Sequence, residues 1–423
     1  RGDGAPLPPF TQHVTDDLDL LFVIDNSAST SDKQTLFVQN FPSFVAALDG
    51  FPGGRPNLHL GVVTTTVDIG ASNFGPGCPS PDPNDNGLLV NTPRVATGCS
   101  GPSGRFISDI ASSTGGRTTN YTGTLSDAFS CIAQVGATGC GFEAQLEGMK
   151  RALDSSRPEN AGFRRTSANL AIVILTDEDD CSAADPALFG LGSDSGPGDF
   201  RCQPLYAYSC DQPISAAGSG SYTNCTVRTG SYLRDPAYYY QFLTTLADPA
   251  NLYVAVIGGD PKSSIQTGMI TTPFSQSLAL EPSCTATING NPAIGRPGIR
   301  LADFVQQLGR HGLYESVCQS DYSAALSQIG QLLQDITSTC VAGSIDTTDT
   351  DASNPGVQPP CAVTQNGTTI PMCHMLDATT PASANTTPCA WFAVDAACAA
   401  TPSQLELHLL GGTTPVDLSC APK

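Results

Sequence analysis

Two segments of the chain are apolar almost without interruption, LDLLFVID at 18–25 and ANLAIVILTD at 168–177, and both end on an aspartate. Continuous apolar runs of this length predict strands buried on both faces, as in a parallel sheet. NLYVAVIGG (251–259) is a third of the same kind. LHLGVVTTTV (58–67) and GLYESVC give two more strands, and RFISDI a short edge strand. Between them the period changes to that of a helix. Phe37, Phe41, Phe44 and Leu48 fall at i, i+4, i+7 and i+11, one face of a helix over 31–49, with Ser31-Asp32 as its N-cap and Pro42 as a kink. Further helices are expected near 124–135 and over 142–153, where Phe142, Leu146, Met149 and Leu153 form the stripe. PAYYYQFLTTLA, RLADFVQQLG and YSAALSQIGQLLQDI read as three more, the last closing near Cys340. Strands alternating with helices predict an α/β, mostly parallel sheet.

The 423 residues exceed one ordinary domain of roughly 100–200. Residues 1–16 are Pro/Gly-rich and read as an extended lead-in, and 17–340 as the α/β domain. Two Gly/Pro/Cys-rich stretches, near 70–104 and 181–235, interrupt that domain as disulfide-pinned insertions. Residues 341–360 form a polar linker. Residues 361–423 carry five cysteines, the alternating runs WFAV and LELHLL and the only Trp, and predict a small disulfide-rich β unit. With 42 Gly, 33 Pro and 14% charged residues the chain is loop-rich, but 40% apolar content suffices for a core. No internal repeat is evident.

Charge narrows the partners. Thirty-nine acidic against 19 basic residues leave a net charge of −20, which disfavours nucleic acid and anionic membrane surfaces and attracts divalent cations. The sixteen cysteines contain no CxxC pair and no zinc-spaced Cys/His cluster, so they read as a disulfide framework in an oxidising compartment. No run of about 18 apolar residues offers a membrane span. A secreted chain starting at Arg1 would be a processed form, with a lipid anchor ahead of Arg1 left open.

The candidate chemistry lies where the two strongest strands end. IDNSAS supplies Asp25, Ser27 and Ser29; LTDEDD supplies Asp177. In an open α/β sheet, ligands bind beyond the carboxyl ends of strands where the strand order reverses. Asp25 and Asp177 would meet there if their strands are neighbours. Carboxylates and hydroxyls are hard oxygen ligands suited to Mg²⁺, Mn²⁺ or Ca²⁺ and not to zinc. Read alone, D-x-S-x-S is a helix N-cap with no metal.

D-x-S-x-S after the first strand and T-D after the fourth resemble the metal-ion-dependent adhesion site of von Willebrand factor A-type and integrin I domains. The resemblance covers roughly 17–340. It implies a doubly wound, Rossmann-like sheet with an antiparallel edge strand matched by FISDI. It also implies direct metal coordination by Ser27 and Ser29, and coordination by Asp25 and Asp177 directly or through water. The family takes one more ligand, a Thr or sometimes a Glu, from the loop before the helix preceding strand four. That position falls near Cys140, and Thr138 is the nearest hydroxyl, ahead of Thr122 and Thr124; a Cys131–Cys140 bond would stiffen the loop. The cysteine-rich insertions and C-terminal unit resemble secreted or lipoprotein A-domain proteins of myxobacteria, including adhesins of gliding motility.

The expected function is therefore cell-surface adhesion or ligand binding, without catalysis. The metal would grip a carboxylate offered by a protein or polysaccharide partner. A surface-layer scaffold stabilised by metal is the alternative. A metal-dependent hydrolase, with Glu178 or Asp179 as base, ranks lower. The run Asp177–Asp180 reads either as a second cation site or as a solvated loop. Linker acids Asp346, Asp349 and Asp351 could mask the open metal position. No GxSxG or HExxH motif appears among the Ser and five His. Arg1-Gly2-Asp3 and the sequons at Asn120, Asn224, Asn366 and Asn385 are of the kind that chance supplies.

Overall fold

In the computed structural model, seven strands form one mixed sheet in the order β8-β7-β6-β2-β3-β4-β5. They are β2 (Asp17–Ile24), β3 (Asn57–Thr64), β4 (Ile107–Ala111), β5 (Arg117–Thr119), β6 (Asn169–Leu175), β7 (Leu252–Gly258) and β8 (Gly312–Ser316). The structure describes residues 8–51, 54–68, 85–112, 115–191, 200–271, 276–337, 339–341, 343–395, 398, 401–411 and 415–423. Arg1-Gly2-Asp3, Cys78 and parts of both insertions lie outside them. Strands β3, β2, β6, β7 and β8 run parallel, while β4 and β5 are antiparallel. The antiparallel strand expected from FISDI is β4, but β5 lies outside it as the edge.

The alternation along β2 shows why the sheet is covered twice. Leu20, Phe22 and Ile24 point into a core shared with α1 (Ser31–Asp49), α2 (Leu125–Ala133) and α6 (Ser323–Thr337). Leu21 and Val23 point into a second core with α3 (Gln145–Leu153), α4 (Pro236–Thr244) and α5 (Ile299–Gln306). On the first face the Phe22 ring lies 4.7 Å from that of Phe129 and 5.8–5.9 Å from those of Phe37, Phe41 and Phe44. These edge-on and tilted aromatic contacts are the geometry such rings prefer. On the second face α3 approaches closely: a Cβ on Gly148 would stand 2.7 Å from the Thr64 carbonyl oxygen. Glycine there lets the helix seat its N-terminus at the sheet's carboxyl edge. α1 spans the expected 31–49, but its N-cap position falls on Thr30 and not on Ser31-Asp32, and the Thr30 hydroxyl donates to the carbonyls of Asp25 and Ser27.

The lead-in and the linker are both built into the C-terminal unit. β1 (Phe10–Val14) pairs antiparallel with Val416–Cys420, which also pairs with Cys361–Gln365. Val341 and Ile345 of the linker are buried with Val14, Val363 and Leu418. The apolar residues of these segments, few as they are, close this small core. The stretch around Cys284 forms two hairpins, Ile265–Thr271 with Gln276–Leu280 and Cys284–Ile288 with Asn291–Gly295. Seven disulfides lie among the described residues. They point to an oxidising, extracellular setting. Cys131 is bonded to Cys99, not to Cys140, which is disulfide-bonded elsewhere. No described helix is long and apolar enough to cross a membrane.

Phe22 sits at the centre of the larger core and is fully buried. Phe22→Ala is expected to lower stability by about 3–5 kcal/mol, read from the urea midpoint at unchanged slope.

Candidate metal centre

β2 and β6 are hydrogen-bonded neighbours, with Ile24 opposite Leu175 and the Asp25 amide donating to the Leu175 carbonyl at 2.9 Å. After β2 the chain continues to β3 on one side; after β6 it continues to β7 on the other. The loops after β2 and β6 thus open at the point where the strand order reverses, the place where such sheets bind ligands.

The two loops fold onto one another through side chains. The Asp25 Oδ1 accepts the Ser27 amide at 2.8 Å, and its Oδ2 accepts the Thr176 hydroxyl at 2.7 Å. Ser27 Oγ and Ser29 Oγ are 3.3 Å apart, and the Ser29 hydroxyl donates to Asp177 Oδ1 at 3.1 Å. Asp25, Ser27 and Asp177 are buried, and Ser29 opens to solvent. Burial first, and the Asp177 carboxylate second, push Asp25 up to about 6 against the hydrogen bonds from Ser27 and Thr176. Asp177 Oδ2 is buried and accepts no hydrogen bond among the described residues; the Lys33 ammonium pairs with it at 3.0 Å without that geometry.

The loop before α3 brings a different residue from the one expected. Thr138 is exposed, and no described contact joins it to Asp25, Ser27, Ser29 or Asp177. Its neighbour Gly139 packs so tightly on Asn26 that a Cβ would lie 2.4 Å from that side chain. Glu143, two residues before α3, is the carboxylate held near the site. It is buried, and its acid group is raised well above the ordinary Glu range, first by burial and then by the charges of Glu178, Asp25 and Asp177. Nothing local in the sequence marks it, since its place depends on how α3 docks against β3, where Gly148 meets Thr64.

The acidic run after Asp177 is not a solvated loop, because protein donors meet its carboxylates. Asp179 accepts the Arg300 and Leu301 amides at 2.8 and 3.0 Å, capping α5, and the Tyr208 hydroxyl at 2.8 Å. Asp180 accepts the Leu146 amide in the first turn of α3 at 3.0 Å and pairs with fully buried Arg300, also at 3.0 Å. Glu178 pairs with Arg296. Helix N-termini and arginines satisfy these carboxylates more completely than water would. Neither Glu178 nor Asp179 is left facing outward as a base. The linker acids Asp346, Asp349 and Asp351 reach solvent and accept hydrogen bonds within the linker itself, from the amides of Thr348, Asp351 and Ser353.

Asp25, Ser27, Ser29 and Asp177, with Glu143 beside them, are an all-oxygen donor set with surplus negative charge, which suits a hard divalent cation. Among the described residues no group of three or more His, Cys, Asp or Glu is arranged to hold a metal.

No family model matches the chain, and no curated protein matches it. Among solved structures it is similar to proximal thread matrix protein 1 from the mussel byssus, with TM-score 0.34 and 10% identity over 79% of this chain and 52% of that one. BatB from Bacteroides thetaiotaomicron gives TM-score 0.30 and 11% identity over 75% and 98%. A von Willebrand factor type A structure from Catenulispora acidiphila gives 0.28 and 9% over 100% and 67%. The chain spans about half the length of the mussel protein. Likenesses this distant add nothing to the topology described above.

A folded-state acidity constant near 6, against an ordinary 3.8, means that Asp25 favours folding most when protonated. That contribution is complete below 3.8 and is lost as pH rises through about 6. In chelator, Asp25→Asn is expected to flatten this window and to stabilise the metal-free protein at pH 7 by about 1–3 kcal/mol, measured by denaturant unfolding across pH.

Proposed function

We propose that this chain is an extracellular ligand-binding protein of the von Willebrand A type. It grips its partner through a divalent metal held by Asp25, Ser27, Ser29 and Asp177, with Glu143 rather than Thr138 as the further carboxylate. The observation that carries the reading is the chain of contacts Ser27–Ser29–Asp177 beside Asp25 at the strand-order switch. Mg²⁺, Mn²⁺ or Ca²⁺ would supply a Lewis-acidic position for an oxygen ligand. Few protein donors leave part of the coordination shell free, so an acidic group on a protein or polysaccharide partner fits it. The chain's own residues orient the hydroxyls: Thr30 and Gln34 anchor the Asp25 carbonyl at 2.9 and 2.8 Å, and Thr176 fixes the carboxylate.

Catalysis is not part of this reading, because the acids adjacent to Asp177 are bound up in α5, α3 and arginine contacts. Cell-surface adhesion suits a disulfide-stapled chain. Display as an outer-membrane lipoprotein and service in gliding motility extend the same proposal.

Titration calorimetry with Mg²⁺ and Mn²⁺ tests it. The wild-type protein is expected to bind, and the double variant Asp25→Ala/Ser27→Ala to lose binding with its circular dichroism unchanged. Equal binding by both, or by neither, sinks the metal reading. Metal-dependent melting without metal-dependent capture of acidic ligands would instead favour a scaffold.

A further inference from the structure

Lys33 is the third residue of α1, and its side chain is 3% exposed. Lysine ammonium groups ordinarily reach water at the end of a buried stem. This one is held by the Ser29 carbonyl at 2.9 Å, Asp177 Oδ2 at 3.0 Å and Asp32 at 3.4 Å. A cation in the first turn also opposes the helix macrodipole. Burial and the dipole both work against Lys33, and the oxygens of the candidate site offset them. Ser29 and Asp32 lie at the solvent edge, so the flexible stem has a way out.

We propose that Lys33 is a tethered countercharge of the site, and that a divalent ion enters by displacing its ammonium from Asp177. The inference rests on the metal reading above and adds its regulation. An ammonium and a divalent ion on one carboxylate repel each other strongly in a partly buried setting. The metal-free form is thereby a charge-compensated state in its own right, and occupancy is an exchange between the lysine and the ion. Any partner contact that draws Lys33 outward raises metal affinity, and metal binding frees Lys33 in return.

Lys33→Met keeps the buried stem and removes the charge; Lys33→Gln also keeps a donor for the Ser29 carbonyl. Mn²⁺ affinity is measured by calorimetry on both, alongside wild type. Melting in chelator is measured for Lys33→Met, Asp177→Asn and the double variant. About tenfold or tighter Mn²⁺ binding by the Lys33 variants is expected. In chelator, Lys33→Met is expected to melt lower than wild type, and much less so when Asp177→Asn is already present. Mn²⁺ affinity equal to or weaker than wild type overturns the exchange while the metal reading stands. Mn²⁺ bound by no form overturns the metal reading and the exchange with it. Additive melting losses for Lys33→Met and Asp177→Asn overturn the countercharge itself, whatever the metal result.

Discussion

The pairing of β2 with β6 sets the problem that the rest of the site solves. Ile24 opposite Leu175 forces the next residues of both strands, Asp25 and the Thr176-Asp177 pair, into one buried pocket at the sheet's edge. Two carboxylates that close cannot both be ionised and dry without compensation. Each surrounding element answers part of that demand. Ser27 and Thr176 donate to Asp25, Ser29 donates to Asp177, and Lys33 brings a whole positive charge. The neighbouring acids are drawn off to helix ends and arginines, which keeps the surplus local. The cluster reaches solvent at Ser29, which is where a divalent ion would enter under the metal reading proposed above.

Much of the sheet was legible because its strands are buried on both faces. Continuous apolar runs left β2, β6 and β7 little alternative, and the Phe37-Phe41-Phe44 spacing matched a face that the structure buries against Phe22. The elements missed are those with weak local signals. Phe10–Val14 is a strand only because Val416–Cys420 lies beside it. The hairpin at Asn289-Gly290 did carry a signal, since Asn-Gly suits the two left-handed positions found there, with φ of 50° and 82°.

At the site, Asp25, Ser27, Ser29 and Asp177 were readable because position relative to a strand end is local information. Glu143 and the fate of Asp179 and Asp180 were not. A residue's partner in three dimensions depends on where a distant helix starts, and α3 and α5 start at these carboxylates. Acids and hydroxyls in a sequence look alike as ligand, cap or solvated loop. What separates them is whether an amide, a guanidinium or nothing arrives to meet each one.

The architecture also separates the candidate site from the disulfide-stapled C-terminal unit. The C-terminal unit takes β1 as a strand of its own sheet, and β1 leads directly into the amino end of β2, while the candidate metal centre lies at the carboxyl end. Eight residues of β2 place the two about 25 Å apart at roughly 3.3 Å per residue. The link between the two is β2, which is hydrogen-bonded on both sides and packed on both faces. Its far end is tied by β1 to a strand that the Cys361–Cys420 bond fastens to the next one. The candidate site and the C-terminal unit are thus joined through the central strand of the sheet, its most fully paired and packed element.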